Sequence, residues 1–232
     1  AGLETGDFDF AESLPLNAYE ALVSNPKIKP AVVKPKWGIV LNINKAAYPT
    51  NNKYFRQALV AALNRETVMK AITLGNKQFY RTENSVYFPE QTTYYVGDRM
   101  PEFYYGPNQK LVDELLKKAG YKGEEVIYMS NRDYDWMYKA SLPMSQMWKA
   151  AGINLNLQYL DWPSEVQNMR AKTGWHMGQT GWSPRFDPVQ FGSVLASSGD
   201  NPRSHWYDSP KMTALLSKIN SGIPTAERQK VW

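Results

Sequence analysis

Lys53-Tyr54-Phe55-Arg56-Gln57-Ala58-Leu59-Val60-Ala61-Ala62-Leu63-Asn64-Arg65-Glu66 reads as the buried face of a helix. Phe55, Leu59, Ala62, Leu63 and Met69 recur at three- and four-residue spacing, Asn51 and Asn52 open the segment, and Gly75 stands where a C-terminal cap belongs. The pattern predicts one helix over 54–72. Just upstream, Trp37-Gly38-Ile39-Val40-Leu41-Asn42-Ile43-Asn44 is a dense apolar run of strand length. A strand feeding an amphipathic helix is the opening unit of a layered α/β domain.

Working outward, 4–11 predicts a short strand and 14–23 a helix, ending before the proline-containing run 25–35. The stretch 75–107 has no periodicity but much Tyr, Asn, Gly and Pro, and reads as a long binding loop. Beyond it the sequence predicts a helix over 110–119 between Asn108 and Gly120, and a strand over 126–130. A helix over 138–150, closed by Gly152, leads to a strand over 153–160 with Leu155, Leu157 and Tyr159 on one face. A helix over 163–172 opened by Pro163, a strand over 175–181, a turn at Pro184, a helix over 188–196, a polar loop over 197–208 and two short helices complete the chain. This order predicts an α/β fold with a largely buried sheet.

The 232 residues suffice for a core without crosslinks, and with no cysteine there is no disulfide framework, thiol nucleophile or cysteine zinc site. His176 and His205 are too far apart for a local metal motif. The 27 basic and 22 acidic residues are dispersed, which argues against a nucleic-acid partner. No run of 18 apolar residues occurs, and the acidic start is unlike a signal peptide, so the chain is expected to be mature, its targeting sequence removed. There is no Gly-x-Ser-x-Gly, phosphate loop, Gly-x-Gly-x-x-Gly or His-Glu-x-x-His, which disfavours an enzyme and implies no cofactor, no metal and no catalytic residues. Glu124-Glu125, and Asp133 with Asp135, read as solvated surface charge, and 98–102 lacks a calcium-loop pattern. Aromatic residues make up 13% of the chain and gather near Gly, Pro and Asn, which points either to a ligand surface or to aromatics that fill a core.

The stretch Asn42-Ile43-Asn44, followed by 53–66, resembles the family 5 extracellular solute-binding proteins, the peptide, nickel and oligosaccharide receptors of bacterial ABC importers. In that family a strand ending in Asn precedes a helix reading Arg-Gln-Ala-x-x-x-Ala-hydrophobic-Asp/Asn-Arg-Glu. Ala119-Gly120-Tyr121, Met147-Trp148-Lys149-Ala150-Ala151-Gly152-Ile153, Gly181-Trp182 and Asp187-Pro188 follow in the family's order. The resemblance implies a periplasmic-binding-protein-like (type II) lobe with a mixed sheet flanked by helices. Residues 1–232 are then expected to be the C-terminal ligand-binding lobe of a two-lobed receptor, with the first lobe and the final return segment absent. It further implies a monomer in the periplasm, or an extracellular, membrane-anchored protein in a Gram-positive. That protein would bind a small solute, a peptide, opine-like acid or oligosaccharide, and deliver it to an ABC permease of the inner membrane. Arg56 and Arg65 would tie the long helix to neighbouring strands.

The resemblance also places 170–188 toward the cleft and nominates Trp182, Ser183, Arg185, Phe186, Asp187, Arg170 and Tyr87 as ligand-binding residues. Peptide-binding members commonly hold an acidic residue three positions after this Trp, where it meets the ligand's α-amine. Here that position is Arg185, whose guanidinium prefers a carboxylate or phosphate. The loop is one residue shorter than in those members, so Asp187 is a second source of the missing charge. Trp182 stacks on the ligand or packs beneath the loop, and Arg170 reaches a ligand carboxylate or remains a solvated helix-end group. His176 stands where the family often has Asp and reads as structural, while Phe88, Tyr94 and Tyr95 join Tyr87 as possible neighbours of the ligand. Two other classes compete. An α/β hydrolase would use Asp187 and His176 within hydrogen-bond reach, and a protein-interaction module would use an exposed aromatic patch.

Overall fold

Backbone pairing sets the architecture. The computed structural model describes residues 2–12, 14–33, 38–82, 87–95, 97, 103, 106–183, 185–191, 195 and 205–232. Trp37 at the head of the first predicted strand, Pro184, and parts of the predicted 75–107 loop, 188–196 helix and 197–208 loop lie outside the described residues. Among the described residues a single four-stranded sheet has the order β1-β4-β2-β3, made by Gly38–Ile43 (β1), Val126–Asn131 (β2), Leu155–Leu160 (β3) and Met177–Trp182 (β4). β1 runs antiparallel to β4, while β4, β2 and β3 are mutually parallel. The sheet is therefore mixed, and β2, β3 and β4 all end on one edge.

The α-helices among the described residues are Gly2–Thr5 (α1), Tyr19–Val23 (α2), Lys53–Ala61 (α3), Arg65–Thr73 (α4), Gln109–Ala119 (α5), Asp135–Ala150 (α6), Trp162–Asn168 (α7), Pro210–Asn220 (α8) and Thr225–Val231 (α9). The strand predicted over 4–11 does not form. Its alternating Phe8 and Phe10 are exposed, and no strand of the sheet pairs with the segment, so the alternation lacks the partner ladder that a strand requires. The helix predicted over 54–72 is two helices. Asn64 leaves helical geometry at φ −97°, ψ 102°, and its side-chain oxygen accepts from the Thr67 N–H at 2.9 Å, so it caps α4 where the apolar spacing suggested continuity. Asn52 caps α3 through the Tyr54 N–H, and Arg56 donates to the carbonyls of Thr50 and Asn51 at 2.9 and 2.8 Å. Arg56 thus ties the helix to the loop before it rather than to a neighbouring strand.

Elsewhere local signals and structure agree closely. The Asn108 side chain accepts from the Leu111 N–H, and Gly120, at φ 69°, closes α5 in the left-handed region that favours glycine. Asp161 caps α7 through the Ser164 N–H. α7 ends four residues earlier than predicted, and α6 begins three residues earlier.

The main core lies on one face of the sheet, where Phe55, Leu59, Val112, Leu115, Met144 and Trp148 meet Tyr128 and Met177. The Trp148 indole N–H donates to the Leu59 carbonyl at 2.8 Å, which satisfies a polar atom in the dry centre. On the opposite face, α7 is fastened by a fully buried carboxylate. Glu165 Oε2 accepts from Asn131 Nδ2 at 2.6 Å, and its Oε1 accepts from the Gln179 N–H at 2.9 Å, joining helix, β2 and β4. A Cβ on Gly178 would stand 2.6 Å from Met169 Sδ, so glycine here lets the end of α7 approach β4.

Candidate functional site

The parallel strands deliver Asn131, Leu160 and Trp182 to one edge of the sheet, the edge at which open α/β sheets bind ligands. A groove of about 2260 Å³ opens there, between residues 3–33 and the strand ends. Asp133, Tyr134, Trp136, Trp162, Thr180 and Gly181 form its strand-end wall. This volume exceeds the roughly 300–1,000 Å³ of a closed small-molecule pocket, so the feature is an open groove. Tyr134 packs edge-on against Trp162 with centroids 5.6 Å apart and lies 6.4 Å from Trp136, while Asp133 accepts from the Trp162 N–H at 2.6 Å. Asp135 pairs with Lys139 at 2.7 Å. Opposite, Arg81 forms a two-toothed ion pair with Glu90 at 2.7 and 2.8 Å, and this holds the Glu90 carboxyl down at about 2. The groove therefore offers aromatic faces with many of its charges already paired, a surface suited to stacking and hydrogen bonding.

The nominated residues sit beside this groove. Trp182 ends β4 opposite Gly38, half-buried, with its ring 6.1 Å from Phe191. Thr180 and Gly181 stand in the groove wall, but 182–187 do not, so the turn forms its rim. Ser183 is exposed, and Phe186 is 78% exposed at the tip. The turn is tied down locally: Gln190 Oε1 accepts from the N–H groups of Phe186 and Asp187, Asp187 Oδ1 accepts from the Val189 N–H, and Gln91 Nε2 donates to the Arg185 carbonyl. Asp187 Oδ2 meets Arg228 Nη1 of α9 at 2.7 Å. Arg185 is half-buried with its Nε sealed from solvent and without an acceptor, and among the described residues no carboxylate pairs with it. The described residues contain no group of three or more His, Asp or Glu placed to hold a metal ion.

Tyr87 lies beneath the rim rather than on it. It is fully buried, its ring 5.3 Å from Trp232, 5.6 Å from Tyr94 and 5.9 Å from Phe191. Burial first, and then the negative charge of Asp187, push its hydroxyl above the usual phenol range. Tyr94 is buried in the same cluster, while Tyr95 packs against it half-buried. Arg170 is not brought to this place. It is exposed just past α7, beside Met169, which packs over Gly178, and so about 13 Å of strand separates its neighbourhood from Trp182.

His176 and Asp187 do not meet either, which corrects the hydrolase alternative. His176 precedes the start of β4, and Asp187 lies beyond its far end, about 17 Å of strand away. Both imidazole nitrogens are committed: Nδ1 accepts from the Ile127 N–H and Nε2 donates to the Tyr48 carbonyl, each at 2.9 Å. That arrangement requires the neutral ring, and burial lowers its pKa accordingly.

Reading the sequence missed Arg228 and the Tyr134, Trp136 and Trp162 wall. The wall had a signal, because these aromatics immediately follow or flank the ends of parallel strands. Arg228 had none, since it reaches Asp187 across 41 positions of chain.

This fold and edge belong to a known class. Residues 1–203 match the bacterial extracellular solute-binding proteins, family 5 Middle, and the chain belongs to that family. It is 26% identical over 225 residues to the probable peptide ABC transporter periplasmic-binding protein y4tO of Sinorhizobium fredii, covering 94% of this chain and 42% of that protein. Among solved structures, it superposes on the periplasmic binding protein DppA of Helicobacter pylori in complex with peptide STSA. The TM-score is 0.81 at 22% identity, covering 99% of this chain and 44% of the other. It also superposes on the binding protein AgaA of A. tumefaciens R10 in complex with agropinic acid, with a TM-score of 0.76 at 20% identity and coverage of 99% and 46%. The fold is that of a type II periplasmic-binding-protein lobe, and the chain spans less than half the length of each of these relatives.

Proposed function

We propose that residues 1–232 are the C-terminal ligand-binding lobe of a two-lobed, non-catalytic receptor that captures a small solute outside the cytoplasm and passes it to an ABC permease of the inner membrane. The receptor works as a monomer in the periplasm, or on the outer face of the membrane in a Gram-positive cell. It holds the solute by hinge closure, because only the closed form places both walls of the cleft against the ligand. One observation carries this reading. Trp182 and the turn after it stand at the ligand-binding edge of a lobe whose family binds solutes, alongside an aromatic groove. The relatives' ligands, a peptide in one case and agropinic acid in another, support a peptide-like or opine-like solute, with an oligosaccharide the third class.

Within this reading Trp182, Ser183, Arg185 and Phe186 face the solute. Asp187 and Tyr87 hold their turn from behind and beneath, and Arg170 takes no part. Calorimetry of the two-lobed receptor against peptides, opine-like acids and oligosaccharides is the test. One class should bind at micromolar or tighter affinity, and Trp182→Ala should weaken it by ~1–3 kcal/mol, by analogy with other aromatic stacking platforms. The isolated lobe, with one wall, should bind far more weakly. No binding in any class, or full affinity in the lobe alone, would overturn the proposal.

A further inference from the structure

The rim turn carries two charged side chains, Arg185 and Asp187, and their partners differ. The carboxylate of Asp187 is taken by Arg228 at 2.7 Å, in a pair that leaves Asp187 39% and Arg228 20% exposed at the side chain. A second Asp187 oxygen is spent on the Val189 N–H. The Arg185 guanidinium has no carboxylate, carbonyl or hydroxyl acceptor among the described residues, and its Nε is buried. The guanidinium carbon lies over the Phe191 ring at 6.0 Å from its centroid, a contact that offers the N–H groups no hydrogen-bond acceptor. Arg228 Nε is likewise buried without an acceptor. A guanidinium offers five N–H donors and loses free energy when these are withdrawn from water unpaired.

We infer that this turn selects solutes carrying an acidic group, with Arg185 as the residue that binds that group and Arg228 as a positioning residue that removes Asp187 from ligand recognition. The inference rests on the receptor reading above and gives it a substrate class. The chemistry is direct. A planar carboxylate or phosphate supplies two acceptors to a guanidinium fork, whereas an ammonium at the same place meets a like charge in a half-dry setting. Asp187 would attract an ammonium if it were free, but Arg228 both neutralises it and occupies its outward oxygen. Phe186, exposed beside Arg185, adds an apolar contact for the part of the solute next to its acidic group.

The test compares two trialanine probes on the two-lobed receptor by calorimetry. One is N-acetylated with a free C-terminal carboxylate, and the other has a free α-amine and an amidated C-terminus. The acid should bind at least tenfold more tightly than the amine. Arg185→Gln should reduce that ratio to about threefold or less, and Arg185→Lys should keep part of it, since charge remains while the fork is lost. Arg228→Gln, which frees Asp187, should shift the ratio toward the amine by improving amine affinity, an effect that general loosening of the turn would not give. Equal affinity for the two probes, a preference for the amine, or a ratio untouched by Arg185→Gln would overturn the inference while leaving the receptor reading intact. If neither probe nor any solute of the three classes binds, both fail together.

Discussion

Two aromatic regions of this lobe are built on different terms. Around Trp148 the rings are sealed under four helices against the sheet, the indole N–H has a partner in the Leu59 carbonyl, and the cluster runs from Phe55 to Met177. Around Trp182, the described cluster has only Tyr87, Tyr94 and Phe191 fully buried, and it is closed by Trp232 stacked on Phe191 and by the Asp187–Arg228 pair. The first region resists change because interiors are close-packed. The second is held by few contacts and one half-exposed ion pair, which is the construction of a region that opens locally at low cost. Scaffold and site share β4: its first residues belong to the core and its last to the rim.

The largest expected difference between the regions comes from truncating one tryptophan in each. Trp148→Ala should cost ~3–5 kcal/mol of unfolding free energy, because it leaves a cavity and strands the Leu59 carbonyl. Trp182→Ala, whose ring is half-solvated, should cost under about 1.5 kcal/mol, well below the cost at a sealed site. Urea denaturation of both variants decides it, and equal losses would erase the distinction between core and rim. Gly178→Ala probes the opposite face. Its Cβ would press Met169 off the sheet and should cost ~1–3 kcal/mol, readable as a lowered urea midpoint with an unchanged slope.

Acid should separate the two ends of β4. His176 is held neutral by its two hydrogen bonds, and His205, desolvated first by burial and then opposed by the Lys45 charge, is pushed down to about 4. Both lie at the β4-start end, where His205 sits edge-on to Trp175 with centroids 5.4 Å apart. In each case the folded pKa lies below the unfolded value of about 6.5. The unfolded chain therefore takes the proton first, so the stabilisation is complete above pH 6.5 and is lost as pH falls through the window toward 4. Glu165, raised above 4.5 by burial, titrates in the opposite sense, gaining stability as acid neutralises it. The histidines should dominate between pH 6.5 and 5, with a loss on the order of 1–2 kcal/mol after allowing for partial exposure. His205→Asn, which tolerates the left-handed backbone at φ 51°, should flatten that slope. Hydrogen exchange in the same window should quicken near 176–178 and not near 182–187; uniform quickening would show that the ends are not independent.

The smallest effect belongs to the rim latch. Arg228→Ala should lower global stability by only ~1 kcal/mol or less, as partly exposed ion pairs do. Exchange of the 187–191 amides should nevertheless rise several-fold, because α9 then loses its tie to the turn. Global destabilisation as large as that of Trp148→Ala would place the latch in the core.

What the sequence determined by itself are features whose causes lie within a few residues. Asn108 and Gly120 bound a helix because a side-chain oxygen and a left-handed glycine satisfy backbone groups three or four positions away, and the runs at 38–43 and 126–131 became strands because their apolar content demands burial. The motif over 53–66, with the pieces that follow it, sufficed for the family and for the rim turn. Tertiary structure decided the rest. The spacing from Phe55 to Met69 continues across Asn64, so only the packed chain reveals the break, and the alternation at 7–10 stays out of the sheet because no strand edge receives it. Glu165 falls within the helix predicted over 163–172, but only the packed sheet, through β2 and β4, brings Asn131 and the Gln179 N–H to its two oxygens. Asp187 reads as a free ligand group until Arg228 arrives from 41 positions away. Local hydrogen bonds leave a pattern in the chain because donor and acceptor are neighbours in it; the partner of a charge is whichever group the fold carries there, and no spacing records it.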